Sequence, residues 1–287
     1  MKYEEFCAIL NKHIFESEKK ELLRKVADNP ERFIGLFRPT KPGAKILQHL
    51  LQSHEIRMGD ALEEIIEKIL ESLGYRTLDK RISTDKETLL LDQYFTDGER
   101  YWFIEQKVRD DHDSTKKRGQ VKNFEAKLDI LYKTHGSNLI GIMYFIDPDL
   151  TKNQNYYLQE LQKFSNFYGV TLYLCYGREL FDRLLKQPQI WDDIVSWLKQ
   201  WKDSLPELPE INFDEAPEKT FNDIKDLEIR SWRKIIEDDR LWKEGIIKTL
   251  FKEGSTLEIL LKFFEKQNSF PYKQLVGLLS QRLKEYY

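Results

Sequence analysis

The chain has 287 residues, with 46 Lys+Arg against 49 Asp+Glu, and a formal charge of −3 excludes holding a nucleic acid by bulk positive charge, so any basic surface must be local. With 33% charged and 40% hydrophobic residues and a mean hydropathy of −0.61, it is too apolar for a disordered chain and too polar for a membrane protein. The opening Met-Lys-Tyr-Glu-Glu lacks the regions of a signal peptide, and Cys7 and Cys175 stand too far apart for a disulfide scaffold or a thiolate zinc site, so a reducing cytoplasm is expected.

The first stretch, 1–56, alternates amphipathic segments such as Phe6, Ile9, Leu10, Ile14 with Pro30, Pro39 and Pro42, which predicts a helical N-terminal region. A helix from Ala44 to about His54 leads to Gly59, and a longer one runs from Asp60 to Leu73 with Gly74 as its cap. From Tyr75 the period changes to two, predicting strands over Tyr75–Ile82, Thr88–Phe95 and Tyr101–Val108, the last two joined through Asp97-Gly98. A helix from about Gly119 to Thr134, an apolar run Leu139–Ile146, a helix Tyr156–Tyr168 and a second run Val170–Tyr176 follow. Continuous apolar runs separated by helices read as interior parallel strands, so the order predicts an α/β sandwich with a mixed central sheet flanked by helices over 57–205. Residues 206–228 carry Pro206, Pro209 and Pro217 with eight acids against two bases and read as an extended linker; 229–287 is helical, with 12 bases against 8 acids.

The chemistry concentrates on the hairpin. Asp92 interrupts one apolar strand, and Glu105 and Lys107 interrupt the next. Strand side chains alternate, so Glu105 and Lys107 share a face, roughly 7 Å apart. Pairing about Asp97-Gly98 makes facing residue numbers sum to about 195 to 197, which sets Asp92 opposite position 103 to 105. Carboxylates clustered in an apolar sheet need compensation, and a divalent cation is a natural one. Asp92, Glu105 and the backbone carbonyl of Gln106 offer hard oxygens of the kind Mg²⁺ prefers, while Lys107 can orient an attacking water and offset charge on phosphorus. The same groups also suit a plain polar face.

Glu63 shares a helix face with Ile66 and Leu70, so it lies either at the edge of the apolar stripe or aimed into the site. The segment after Lys107 is rich in groups that donate to phosphates (Ser114, Lys116, Lys117, Arg118) or read base edges (Arg109, Asp110, Gln120, Asn123), with Asp111, His112 and Thr115 also expected at the DNA, although His112 also suits a plain surface histidine. Its alternative reading is a solvated loop capped by Asp113 or Ser114 ahead of the next helix.

A helix carrying an inward Glu63, then Asp92 on one strand and Glu105-Gln106-Lys107 on the next, followed by helix and strand, resembles the PD-(D/E)xK nuclease core over about residues 57 to 176. Gly59-x-x-x-Glu63 is similar to the helix entering that core, and Lys107 to Gln120 resembles the segment beyond the catalytic lysine of type II restriction endonucleases. Leu91 stands where that family has a proline. The resemblance implies Asp92 and Glu105 as metal ligands, Lys107 as the charge that orients the nucleophilic water, Glu63 as an accessory acid, Mg²⁺ as cofactor, and a cognate DNA methyltransferase in the same host. The function expected is cleavage of double-stranded DNA at a short symmetric site by a homodimer; a structure-specific nuclease and a non-enzymatic interaction protein are the alternatives. Gly-rich phosphate loops and a nucleophile elbow are absent, and Trp191, Trp197 and Trp201 are spaced as one helix face.

Overall fold

The computed structural model describes residues 1–35, 37, 39–83, 88–110 and 113–286. The chain divides into two units, Met1–His13 with Met58–Leu205, and Ile14–Arg57 with Pro206–Tyr287. The stretch 1–56, read from the sequence as one N-terminal region, is therefore divided between the two units after His13. Among the described residues, no helix is long and apolar enough to cross a membrane.

The first unit begins with α1 (Tyr3–Phe15) and takes up the chain again in the second half of α3 (Pro42–Ser72), α2 (Glu18–Asp28) lying between. Strands β1 (Arg76–Thr77), β2 (Arg81–Ser83), β3 (Thr88–Leu90), β4 (Gln93–Thr96) and β5 (Tyr101–Lys107) follow, then α4 (Ser114–His135), β6 (Leu139–Phe145), α5 (Gln154–Tyr168), β7 (Thr171–Tyr176) and α6 (Pro188–Asp203). The main sheet has the order β1-β4-β5-β6-β7, antiparallel from β1 to β5 and parallel from β5 to β7. It is the mixed α/β sheet that the sequence predicts.

Both faces of this sheet are covered. Tyr94, Phe103, Met143, Phe145 and Leu174 on one face pack with Val121, Phe124 and Leu128 of α4 and Tyr157 and Leu161 of α5. On the other, Phe95, Ile104, Ile142 and Tyr144 are buried, and Gln93 Nε2 donates to the carbonyl of Glu63 on α3 at 2.8 Å. Each such side chain, removed from water, contributes about 1.5–3 kcal/mol. Gly141 is needed in β6, because a Cβ there would stand 2.6 Å from the Phe103 ring and 2.7 Å from Leu172. Phe6 of α1 packs on Trp197 of α6, and the buried Trp201 donates from Nε1 to Asn11 Oδ1 at 2.9 Å.

Several expected boundaries move. The helices predicted on either side of Gly59 are one 31-residue helix, α3, because a glycine inside a helix costs only about 1 kcal/mol and the apolar period resumes at once. The strands predicted over Tyr75–Ile82 and Thr88–Phe95 each break in two, β2 and β3 pairing as a separate ribbon. Helix α4 begins at Ser114 rather than Gly119, since Asp113 Oδ1 caps the amides of Thr115 and Lys116 at 3.0 and 2.8 Å.

The second unit is helical: α2, the first half of α3, α7 (Pro217–Ile224), α8 (Ile229–Glu237), α9 (Asp239–Lys243), α10 (Ile246–Leu250), α11 (Ser255–Glu265) and α12 (Phe270–Tyr286). Residues 206–228 are not an extended linker. Phe213, Ile224 and Leu227 are buried in the core of this unit with Trp232, Ile247 and Leu260, and Phe221 packs against it. Asp214 supplies a bracket, accepting the amides of Glu253, Gly254 and Thr256 at 2.9, 2.7 and 2.8 Å. The many acids of the segment obscured apolar residues at helical spacing behind Pro217.

Candidate active site

The β4–β5 hairpin pairs Gln93 with Ile104 and Thr96 with Tyr101, so facing numbers sum to 197, within the expected register. One step beyond the pairing, Asp92 sits in the break between β3 and β4. There it leaves the ladder and turns its carboxylate to the end of β5, where Oδ2 accepts the backbone N–H of Gln106 at 2.6 Å. The site lies at the C-terminal end of β5, where the sheet changes from antiparallel to parallel pairing.

Lys107 Nζ gathers three oxygens of different origin: the Gln106 carbonyl at 2.7 Å, Glu105 Oε1 at 3.0 Å and Asp92 Oδ2 at 3.2 Å. These are the three groups expected to hold a cation, and they converge on one positive charge. Among the described residues, no group of three or more His, Cys, Asp or Glu side chains could hold a metal ion. Burial and the nearby Glu105 push the Asp92 carboxyl above its ordinary range, and Lys107 offsets part of that. For Lys107, burial pulls the ammonium down, but Glu105 and Asp92 outweigh it and the balance lies above the usual lysine value.

Glu105 is itself 3% exposed and fully engaged. Asn123 Nδ2 of α4 donates to Oε1 at 3.2 Å, and Lys127 of α4 forms an ion pair with Oε2. Glu63 is raised to about 7, first by burial and then by the charge of Asp92, with Lys107 opposing. It is within electrostatic reach of the triad, and its own backbone carbonyl holds Gln93. The side chain of Gln106 is buried with Oε1 lacking a hydrogen-bond partner, so this residue meets the site through its main chain.

The remaining expected residues separate into groups. Ser114, Thr115, Lys116 and Arg118 are exposed on the first turns of α4, Lys117 lies with Nζ 4.7 Å from the Tyr156 ring centroid, and Arg109 is exposed just beyond β5. Asp111 and His112 lie outside the described residues. Asp110 corrects the expectation of a base-reading group: it is 0% exposed, and its carboxylate accepts Asn153 N and Nδ2 at 2.8 Å each and Tyr176 Oη at 2.9 Å. Gln120 is partly buried and accepts from Tyr157 Oη at 2.6 Å.

Lys127 escaped the sequence reading. Its signal was present, for it stands in the buried stripe of Val121, Phe124, Leu128 and Leu131 on α4, where a lysine has to find an acid. Asn123 precedes it by one helical turn and faces the same carboxylate.

Residues 2–84 and 75–202 match the family model of the type II restriction endonuclease HinfI. The chain belongs to that family. In this HinfI-family protein the matched residues include Glu63, Asp92, the Glu105-Gln106-Lys107 strand and Lys127, whereas 203–287 lie outside the match. No curated protein sequence matches. Among solved structures, Can2 from Sulfobacillus thermosulfidooxidans, in complex with cyclic tetra-adenylate, is similar at 13% identity with a TM-score of 0.29, over 68% of this chain. The chain covers 53% of that protein's length.

Proposed function

We propose that the protein is a Mg²⁺-dependent type II restriction endonuclease with a PD-(D/E)xK core, which hydrolyses phosphodiester bonds in double-stranded DNA at a short symmetric site. The observation that carries this reading is the convergence of the Asp92, Glu105 and Gln106 oxygens on the Lys107 ammonium, in a chain that belongs to a restriction endonuclease family.

Three hard oxygens already arranged round a positive charge fit a hard divalent ion, which would be held by Asp92, Glu105 and the Gln106 carbonyl. When bound, such an ion makes a water nucleophilic at neutral pH and polarises a phosphoryl oxygen. The protein's own groups do the rest. Lys107, half-buried at the strand end, donates to the attacking water, orients it and offsets the negative charge that grows on phosphorus. Glu63, whose carboxyl is raised to about 7 by burial and the charge of Asp92, would serve as an accessory acid beside the site. The exposed Ser114, Thr115, Lys116 and Arg118, together with Lys117 and Arg109, form the local basic patch that approaches the DNA backbone.

A symmetric duplex site calls for a homodimer in which each subunit cuts one strand. Such an enzyme works in the cytoplasm beside a methyltransferase that protects host DNA. The test is incubation of plasmid and linear DNA of known sequence with protein and Mg²⁺. Discrete fragments with constant end sequences are expected; no cleavage, or cleavage confined to branched junctions, overturns the reading.

A further inference from the structure

Lys127 is 4% exposed, lies in an otherwise apolar helix stripe, and ends on Glu105 Oε2, while Lys107 takes Oε1 of the same carboxylate. A buried ammonium is costly wherever packing alone is required; a methionine or leucine would fill the stripe at lower cost. Lys127 stands across the Glu105 carboxylate from Lys107. We propose that Lys127 is a positioning residue: it fixes the Glu105 carboxylate against α4 and, with Lys107, balances the charge of Asp92 and Glu105 so that a divalent ion loads fully only when DNA phosphate is present.

This inference rests on the function proposed above. Two carboxylates facing two ammonium groups leave these four side chains with no excess negative charge to attract a free cation. A phosphate arriving at the strand end adds negative charge and offers Lys107 an acceptor other than Asp92 and Glu105. Lys127, buried and paired on the far oxygen, stays in place and keeps Oε1 turned toward Lys107. Asn123 supports the same orientation from one turn earlier on α4. Loading is thereby tied to binding of substrate.

The test compares the wild-type chain with Lys127→Met and Lys127→Arg, using Mn²⁺ as a paramagnetic probe. Lys127→Met should bind Mn²⁺ more tightly than wild type without DNA, by about tenfold, and should lose about 10²-fold in cleavage with duplex binding in metal-free buffer unchanged. Lys127→Arg should restore the wild-type Mn²⁺ affinity and part of the cleavage. Wild-type Mn²⁺ affinity and cleavage in a folded Lys127→Met protein overturn the proposal, as does a uniform loss of stability, duplex binding and cleavage in that variant. Should Lys127→Met not fold, the wild-type protein decides: Mn²⁺ should bind about tenfold more tightly with a duplex spanning the mapped cut site than without it, and equal affinities overturn the proposal. If wild-type protein cuts no DNA at all, the proposed function fails instead, whatever Lys127 does.

Discussion

The backbone N–H of Gln106 donates to Asp92 Oδ2 at 2.6 Å, so the acid just before β4 is fastened to the main chain of β5, between Glu105 and Lys107. No substitution at position 106 short of proline removes this bond. Lys107 has its stem at the strand end and its head among three oxygens.

Substitution of Lys107 by alanine should therefore leave the fold intact and lower cleavage by about 10²–10³, the usual loss when one fixed charge beside a transition state is removed. Asp92→Ala and Glu105→Ala should abolish cleavage. Single-turnover rates on plasmid DNA, with thermal melts of each variant, check this; retention of activity in Asp92→Ala would remove the assigned site.

Glu63 gives the protein a pH dependence of known sign. Its folded value of about 7 lies above the ordinary 4.5, so between these two pH values the folded state holds more proton than the unfolded one. Stability from this group falls as pH rises through that window and is level above it. Melting temperatures from pH 5 to pH 8 in metal-free buffer should show the decline in wild type and a flatter profile in Glu63→Gln, which should be the more stable protein at pH 8. Parallel profiles for the two proteins would mean that Glu63 is ionised throughout.

Much of this site was legible in the sequence, because it depends on alternation and on one turn. Asp97-Gly98 set the hairpin register, and the register brought Asp92 to the end of β5 beside Lys107. The rest depended on contacts that local pattern does not carry. Asp110 reads like its polar neighbours, yet a bridge to Thr151 and the turn before α5 take it inside. Asp214 reads as one acid among many, yet it closes a loop on Gly254 some forty residues away. Lys127 differs again: its apolar neighbours marked it as buried, but only the fold shows which acid receives it.

Asp110→Ala is expected to act on stability rather than on DNA reading. Removing a buried carboxylate that accepts three hydrogen bonds leaves Asn153 and Tyr176 with unmatched donors, at a cost of about 3 kcal/mol. Urea denaturation should show this loss, while the salt dependence of duplex binding by the folded protein stays as in wild type. A wild-type denaturation midpoint would show that the carboxylate is dispensable to the loop.

Lys116 is the contrasting case, exposed on the first turn of α4 and free to approach a phosphate without rearranging the core. Lys116→Ala should leave the melting temperature unchanged and reduce the slope of log affinity against log salt by about 1, uniformly across DNA sequences. A slope equal to that of wild type would place the DNA elsewhere. A change in which sequences are cut would mean that Lys116 reads bases.

In the second unit, Asp214 joins segments that the composition of 206–228 made look independent. Its carboxylate takes the amides of Glu253, Gly254 and Thr256 at the start of α11, near the positive end of that helix. Nearby, Thr220 and Thr256 donate to the Phe213 carbonyl at 2.7 and 3.3 Å. Asp214→Ala removes the acceptor for three amides, two of them in buried contacts, and should cost about 2–3 kcal/mol. Asp214→Asn keeps one acceptor oxygen and should recover part of that loss. Hydrogen exchange of the Gly254 and Thr256 amides is the direct measure: both should exchange faster in Asp214→Ala while the β5 and β6 amides keep their protection. If 206–228 were an extended arm, neither substitution would change exchange at residues 254 and 256.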